Sequence, residues 1–338
     1  MKNNVIDVVD ITLENRQAGI SSDCSNCLKG FFAICVLIHH LYQHSGLLNQ
    51  TIIGGCLQAA GYLSVSCFFF LSGYGLYASY MSKGETYINA FFKRKIAPFY
   101  CLILFFTAIY SVKGILFGQT LSAGIILKSI TFGGTIIGNG WYLQIQLFLY
   151  LFFLVTFRTV KDSRLCIFLI FVECLLSCIC LYVLGYPSTW FEGVFAFPIG
   201  MMWYENEHRI ANVNRKTSFC YYRGVIYFTI FCIAFVGSYL LDNQVISLIL
   251  KMVSAVCFAV FVATATHLIH IENKITRWLG KYSMEIYLVQ GLFLTLFHSD
   301  MINIGNPYLY VLLVTVSVLI AAVALHPITR KIYSIARK

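Results

Sequence analysis

Ten times along this chain, polar residues give way to an apolar run that is long enough, or nearly so, to cross a bilayer. A helix needs about 20 such residues to span the hydrocarbon core. The runs lie near 28–46, 55–80, 96–117, 141–158, 165–185, 190–204, 224–241, 245–269, 282–299 and 307–327, and the sixth is short. Between the third and fourth, the stretch 118–140 is apolar from Leu121 to Leu127 and then breaks on Gly133, Gly134, Gly138 and Gly140. That pattern predicts a re-entrant or interfacial segment. No internal repeat or low-complexity tract interrupts the series. The predicted fold is an all-α polytopic membrane protein with about ten transmembrane helices.

Composition agrees with that setting. Of 338 residues, 59% are hydrophobic and 11% charged, with a mean hydropathy of +0.77. Soluble domains carry about 25% charged residues. The spans are expected to form one transmembrane domain, 28–327, between a cytoplasmic N-terminal segment, 1–27, and a cytoplasmic C-terminal tail, 328–338.

The net charge of +10 is placed topologically. All but Lys113, Lys128 and Lys251 of the 24 lysines and arginines fall in termini and loops that share one side. Positive residues accumulate on the cytoplasmic side, so both termini are expected there. Nucleic acid is not needed to account for the charge. Residues 1–20 carry Asp7, Asp10 and Glu14 and no apolar core ahead of a cleavage site, so they do not read as a signal peptide. Most of the thirteen cysteines sit inside apolar runs as small hydrophobes. Cys24-Ser-Asn-Cys27 has no further metal-ligand pair near it in sequence and reads as a reduced pair.

The first span carries the clearest chemistry. "LKGFFAICVLIHHLYQHSG", residues 28–46, holds Lys29 near its start and His39, His40 and His44 in its second half. On a helix, Lys29 and His40 fall within about 20° of one face, separated by a rise of roughly 16 Å. His44 lies one turn further and about 40° off that face, and His39 points about 100° away. An imidazole at mid-membrane depth is costly unless it is paired or faces a cavity, which makes His40 a functional-site candidate. The plainer alternative is an interhelical hydrogen bond from a buried histidine. His40 and His44 have the spacing of metal ligands, but no acidic third ligand is near in sequence, and no metal is expected.

Other segments add polar groups to apolar surroundings. In "CFFFLSGYGLY", residues 67–77, Ser72-Gly73 permits close helix approach and offers a hydroxyl. "FFKRKIAPFY", residues 91–100, places Lys93, Arg94 and Lys95 just ahead of a span with Pro98 in its first turn. Three cations at a helix N-terminus suit a phosphate, and they also make an ordinary positive-inside anchor. From Gly138, "GNGWYLQIQLFLY" opens with Trp141 and Tyr142, expected in an interfacial aromatic belt, and then carries Gln144 and Gln146, candidates to line a cavity. Glu192 is expected to be solvated at an outer end. Glu173 and Glu285 lie deeper and require partners.

Taken in order, these segments resemble the acyltransferase 3 family of polytopic membrane acyltransferases. The basic residue and histidine of the family's first span match Lys29 and His40. Phe68, Phe69, Ser72, Gly73 and Tyr74 match its Phe-Phe-x-x-Ser-Gly-aromatic segment. "FFKRKIAPFY", "GWYLQIQLFLY", "FAFPIGMMW" and "LGKYSMEIYLVQGLF" are similar to four further family segments.

The resemblance implies acyl-coenzyme A, usually acetyl-coenzyme A, as co-substrate from the cytoplasm. It also implies a hydroxyl acceptor on a cell-envelope or lipid-linked glycan, in a bacterial cell membrane. His40 inherits the role of general base or transient acyl carrier, with His39 and His44 orienting it or lining the passage. Lys29, Ser72, Lys93, Arg94 and Lys95 inherit donor binding. The chain departs from the family pattern in having no Arg-x-x-Arg in the basic cluster and in placing Gln290 where many relatives have His. A homodimer is left open. The rival readings are a secondary transporter, which would call for an internal repeat and broken helices, and a non-catalytic membrane subunit. An acyltransferase requires Lys29, His40 and the 93–95 cluster to converge on one cavity.

Overall fold

The computed structural model describes residues 19–210 and 217–338. Lys2, Arg16, Arg215 and Lys216 of the positive set, with Asp7, Asp10 and Glu14, lie outside the described residues, as does the side chain of Arg209. Among the described residues there is one short 3-10 helix, Ser188–Trp190, and there are eleven α-helices. They are α1 (Ser22–Ser45), α2 (Ile52–Lys83), α3 (Glu85–Leu116), α4 (Ala123–Ile130), α5 (Trp141–Thr159), α6 (Ser163–Val183), α7 (Ala196–Ile210), α8 (Thr217–Leu240), α9 (Gln244–Ala265), α10 (Lys274–Leu296) and α11 (Pro307–Ala336). A two-stranded hairpin, β1 (His298–Ser299) with β2 (Ile302–Asn303), joins α10 to α11.

Every apolar run of the sequence becomes a helix, and the 118–140 stretch yields only the short α4. Eight helices are long and apolar enough to cross a membrane. The other two long helices fall short for different reasons. α7 has 15 residues, and α10 keeps Lys281, Glu285 and Gln290 within its apolar half. Polar caps, not the ends of hydrophobicity, set several boundaries. Ser21 accepts the Cys24 N–H at 3.0 Å and starts α1 before the apolar run begins. Asp162 accepts N–H bonds from Arg164 and Leu165 at the start of α6, and those bonds hold its carboxyl below the usual range. Asn306 caps α11 in the same way.

Small residues decide where helices cross. A methyl group on Gly30 would collide with the backbone of Leu279 and Gly280, so α1 lies directly against the start of α10. Gly73 meets the Phe197 backbone and Gly200 that of Phe70, which seats α7 on α2. Lipid tails offer no hydrophobic gradient between helices, so this close approach supplies association through dispersion. Bulky rings such as Phe69, Phe70, Tyr77, Phe106 and Phe153 fill the interior. Val183, Ile233, Ile320 and other large apolar side chains are exposed on the periphery, as a lipid-facing surface requires.

Charged pairs gather at one end of the bundle. Lys161 pairs with Glu85, Arg164 lies 3.7 Å from Glu205, and the Lys93 ammonium donates to the Lys338 carbonyl at 3.2 Å. The opposite end holds His44, His298 and the hairpin.

Candidate active site

The crossing at Gly30 brings Lys29 beside α10 and opens a cavity of about 130 Å³. Five helices line it: α1 with Lys29, α2 with Phe68 and Ser72, α3 with Phe99, α5 with Tyr142, Gln146 and Tyr150, and α10 with Ser283, Met284 and Tyr287. The three α5 side chains follow from one spacing, since residues four apart share a helix face. They also form a polar ladder. The Tyr142 hydroxyl donates to Gln146 Oε1 at 3.3 Å, and Gln146 Nε2 donates to Ser72 Oγ at 3.1 Å. Tyr150 lines the same cavity as that serine. Among the described residues no carboxylate lies within ion-pairing distance of Lys29. The charge it feels is that of Lys95, another cation. A low-dielectric cavity with unneutralised positive charge favours an anion or the oxygen of a polarised carbonyl.

The basic cluster is built differently from the sequence expectation. α3 already begins at Glu85, after Gly84 at φ +58°, so Lys93, Arg94 and Lys95 lie inside a continuous helix and not at its N-terminus. Their backbone N–H groups are engaged in the helix, which removes the free-donor phosphate cradle. Residues Phe92–Ile96 form a wide π turn, closed by an Ala97 N–H bond to the Phe92 carbonyl. Pro98 explains the turn. It has no N–H, and its ring would clash with the carbonyl four residues back in a regular α-helix. One wider turn relieves the clash, and such turns recur at functional sites. Lys95 is partly buried and interacts with Lys29, Lys83 and Arg337. Lys93 and Arg94 are exposed.

His40 stands on the same face of α1 as Lys29 but outside the cavity lining. It is half-buried, with Nδ1 3.0 Å from Gln43 Oε1, and Gln43 Nε2 donates to Gln58 Oε1 at 3.3 Å. His39 is buried against α2, its Nδ1 3.0 Å from the Leu57 carbonyl. Its ring fills the notch left by Gly61, where a methyl group would sit 2.5 Å from it. The His39 and His40 rings lie 4.8 Å apart. His44 faces His298 at 5.8 Å, and His298 packs on Tyr310 at 4.1 Å. Between the cavity and this imidazole group lies a triangle of rings. Phe68, Tyr142 and Tyr287 have centroids 5.8, 6.3 and 5.2 Å apart. Each is one turn from a polar cavity residue: Ser72, Gln146 and Ser283 respectively. Phe68 also touches Phe32, one turn beyond Lys29 toward the histidines.

Residues 23–326 match the family model described as an acyltransferase domain. The chain belongs to the acyltransferase 3 family. It is therefore a multi-pass membrane acyltransferase. Comparison with curated proteins and with solved structures found no match.

In this acyltransferase the expected convergence on one cavity is not met: Lys29 and Ser72 share the cavity, Lys93, Arg94 and Lys95 are not among its lining residues, and His40 with His39 forms a separate group further along α1. Tyr142 is buried in the cavity wall and not in an interfacial belt, because α5 is covered on that face by α2 and α10. Gln146 lines the cavity as expected. Gln144 does not: its amide is spent on the carbonyls of Lys128, Ser129 and Gly134, bracing the α4 turn. Glu192 is buried, accepts from Ser188 Oγ at 3.2 Å and faces Lys251, so it is not solvated. The deeper carboxylates have the partners they required. Glu173 accepts from Thr156 at 3.0 Å, and Glu285 accepts from Thr329 and lies 3.0 Å from His326. Tyr150 and Tyr287 were not singled out from sequence. The four-residue spacing from Gln146 was the available signal for Tyr150.

Proposed function

We propose that this acyltransferase moves a short acyl group, acetyl in the first instance, from cytoplasmic acyl-coenzyme A to a hydroxyl of a cell-envelope or lipid-linked carbohydrate. The bundle end that carries the charged pairs then faces the cytoplasm of a bacterial cell, with both termini on that side. Lys93 and Arg94 extend the positive surface that meets the donor's phosphates. Lys95 and Lys29 draw the donor inward, and Ser72, held by Gln146, offers a hydrogen bond along the way. The thioester continues along the shared face of α1 to His40. There the imidazole takes the proton of the acceptor hydroxyl, whose oxygen attacks the thioester carbonyl carbon. The carbon–sulfur bond breaks, and coenzyme A leaves as a thiolate that recovers a proton. His39, wedged at Gly61, fixes the neighbouring ring.

The observation that carries this reading is Lys29: a cation without a carboxylate partner, in a cavity shared with Ser72 and beside a second cation. A packing-only membrane subunit has no use for that arrangement, since an uncompensated, partly buried charge is destabilising. The test uses purified protein in nanodiscs with radiolabelled acetyl-coenzyme A. Wild type is expected to release coenzyme A or retain label. Folded His40→Ala should lose roughly 10²- to 10⁴-fold in rate, the range for a general base. A wild type that neither binds nor cleaves any acyl-coenzyme A would overturn the reading.

A further inference from the structure

Cations from separate helices meet at the charged end of the Lys29 cavity. Lys95 of α3 interacts with Lys29 of α1, with Lys83, the last residue of α2, and with Arg337, the C-cap of α11. Geometry ties them to one another and to the cavity. The Lys93 ammonium donates to the Lys338 carbonyl at 3.2 Å, which holds the end of α11, and Arg337 with it, beside α3. The Arg337 guanidinium lies 5.7 Å from the centre of the Tyr333 ring, one turn back on α11. Tyr333 in turn interacts with Tyr150, a lining residue of the cavity. Lys83 lies 6.0 Å from the ring of Tyr87, in the first turn of α3.

Their counter-charge is missing. Among the described residues, no carboxylate pairs with Lys29, Lys83, Lys95 or Arg337. Glu85 is committed to Lys161, and Glu285 to His326 and Thr329. A helix dipole accounts for a cation at the C-terminus of α2 or of α11 taken singly. It does not account for Lys95, which sits within α3 on the wide turn, nor for the meeting of all three beside Lys29. Like charges so placed repel, and an anion between them relieves the repulsion. Ammonium and guanidinium donors from several sides suit a phosphate, whose oxygens accept charge-assisted hydrogen bonds.

We infer that Lys83, Lys95 and Arg337 form a phosphate-binding site at that end of the cavity, for a phosphate ester of the acyl donor or of an anionic lipid. The donor as source rests on the reading given above, and it carries that reading from the exposed Lys93 and Arg94 to the ends of two other helices. A lipid as source does not depend on it.

The experiment uses the full chain in phosphatidylcholine nanodiscs, with pyrophosphate as the probe and melting temperature as the readout. Pyrophosphate should stabilise wild type. Lys83→Gln or Arg337→Gln should raise the concentration needed by about tenfold, the loss expected of one hydrogen bond to a charged group. Lys331→Gln is the control: it removes an exposed cation about 120° round α11 from Arg337 and should change nothing. Two further arms identify the source. If the phosphate is the donor's, both variants should raise the KM for acetyl-coenzyme A by about tenfold. The KM for S-acetylpantetheine, which has no phosphate, should stay where it is in wild type. An equal rise for both thioesters would remove the donor as source. If the phosphate is a lipid's, phosphatidylglycerol in the nanodisc should compete with pyrophosphate on wild type, and neither KM should move. The site is overturned if pyrophosphate acts equally on wild type and both variants, or if Lys331→Gln weakens it as much as they do. A wild type that binds pyrophosphate yet cleaves no acyl-coenzyme A would overturn the donor reading and leave the site to a lipid.

Discussion

Lys29 sits in its cavity beside Lys95 with no carboxylate to neutralise it, whereas His40 is held by Gln43 among neutral polar side chains. The two groups should therefore fail differently when replaced. Lys29→Gln removes the cation and should raise the KM for acyl-coenzyme A by roughly ten- to a hundredfold, the worth of a hydrogen bond to a charged group. Lys29→Arg keeps the charge and should recover much of that loss. An equal effect of both substitutions on kcat, with KM unmoved, would remove Lys29 from donor binding.

His39 calls for a different measurement, because its ring occupies a notch cut for it. Gly61→Ala places a methyl group against that ring and should cost about 1–3 kcal/mol as overpacking. In the Gly61→Ala/His39→Ala double variant the clash is gone, so the double variant should lose less stability than the two single losses added together. Simple additivity would mean that the two residues do not meet.

The candidate site was legible where its residues share one helix: the eleven-residue interval from Lys29 to His40 is visible in the sequence. Convergence of Tyr142, Gln146 and Tyr287 on Lys29 depends on how α5 and α10 cross α1, and no local pattern reports that. Tyr142 illustrates the difficulty, since an aromatic residue opening a span reads equally well as belt or core.

At the level of whole elements, α1 and α10 meet through Gly30 and Gly280 with no side chain between them. A methyl group at either position forces the helices apart at the point that sets the cavity's width. Gly30→Ala should lower the melting temperature and weaken donor binding together, since the residue beside it is Lys29. Gly55, around which a methyl group meets nothing, provides the control: Gly55→Ala should leave donor binding unchanged and should hold or slightly raise the melting temperature, since Ala is the better helix former. If Gly30→Ala and Gly55→Ala behaved alike, the close crossing would have no bearing on the site.

Element by element, the fold was readable because a bilayer imposes one rule: backbone polar groups must be paired within the segment, so each apolar run becomes a helix. α10 was readable as a span despite Lys281 and Glu285, yet its polar content has a meaning the run itself does not give. Glu285 is spent on His326 and Thr329 of α11, tying the last two helices together. The π turn at Phe92–Ile96 was not readable, because Pro98 is equally at home in the first turn of a helix and beyond a widened one. Only the presence of α3 residues before the cluster distinguishes the two, and those residues, 85–91, are too few and too polar to announce themselves as part of the span.

For the molecule as a whole, the distribution of charge makes a claim about sidedness. The pairs Lys161–Glu85 and Arg164–Glu205, and the contact of Lys93 with Lys338, lie at one end of the bundle. At the other end is Cys56, exposed in the first turns of α2, not far along the chain from His44 and Gly46. On the sidedness proposed above, the first end faces the cytoplasm. In a Cys180→Ser background, which removes the other exposed thiol near that end of the bundle, a membrane-impermeant maleimide added to intact cells should then label Cys56, and adding Cys56→Ser should lose that label. Thiols set in lipid or in the core are poor competitors, since the reactive species is the thiolate and apolar surroundings suppress it. Lys161→Cys, placed in the Cys180→Ser/Cys56→Ser background, should remain unlabelled until the membrane is permeabilised. The reversed pattern, with position 161 labelled from outside and Cys56 protected, would invert the protein. It would also put Lys29 and Lys95 on the side away from cytoplasmic coenzyme A, so the same experiment weighs directly on where the donor must enter.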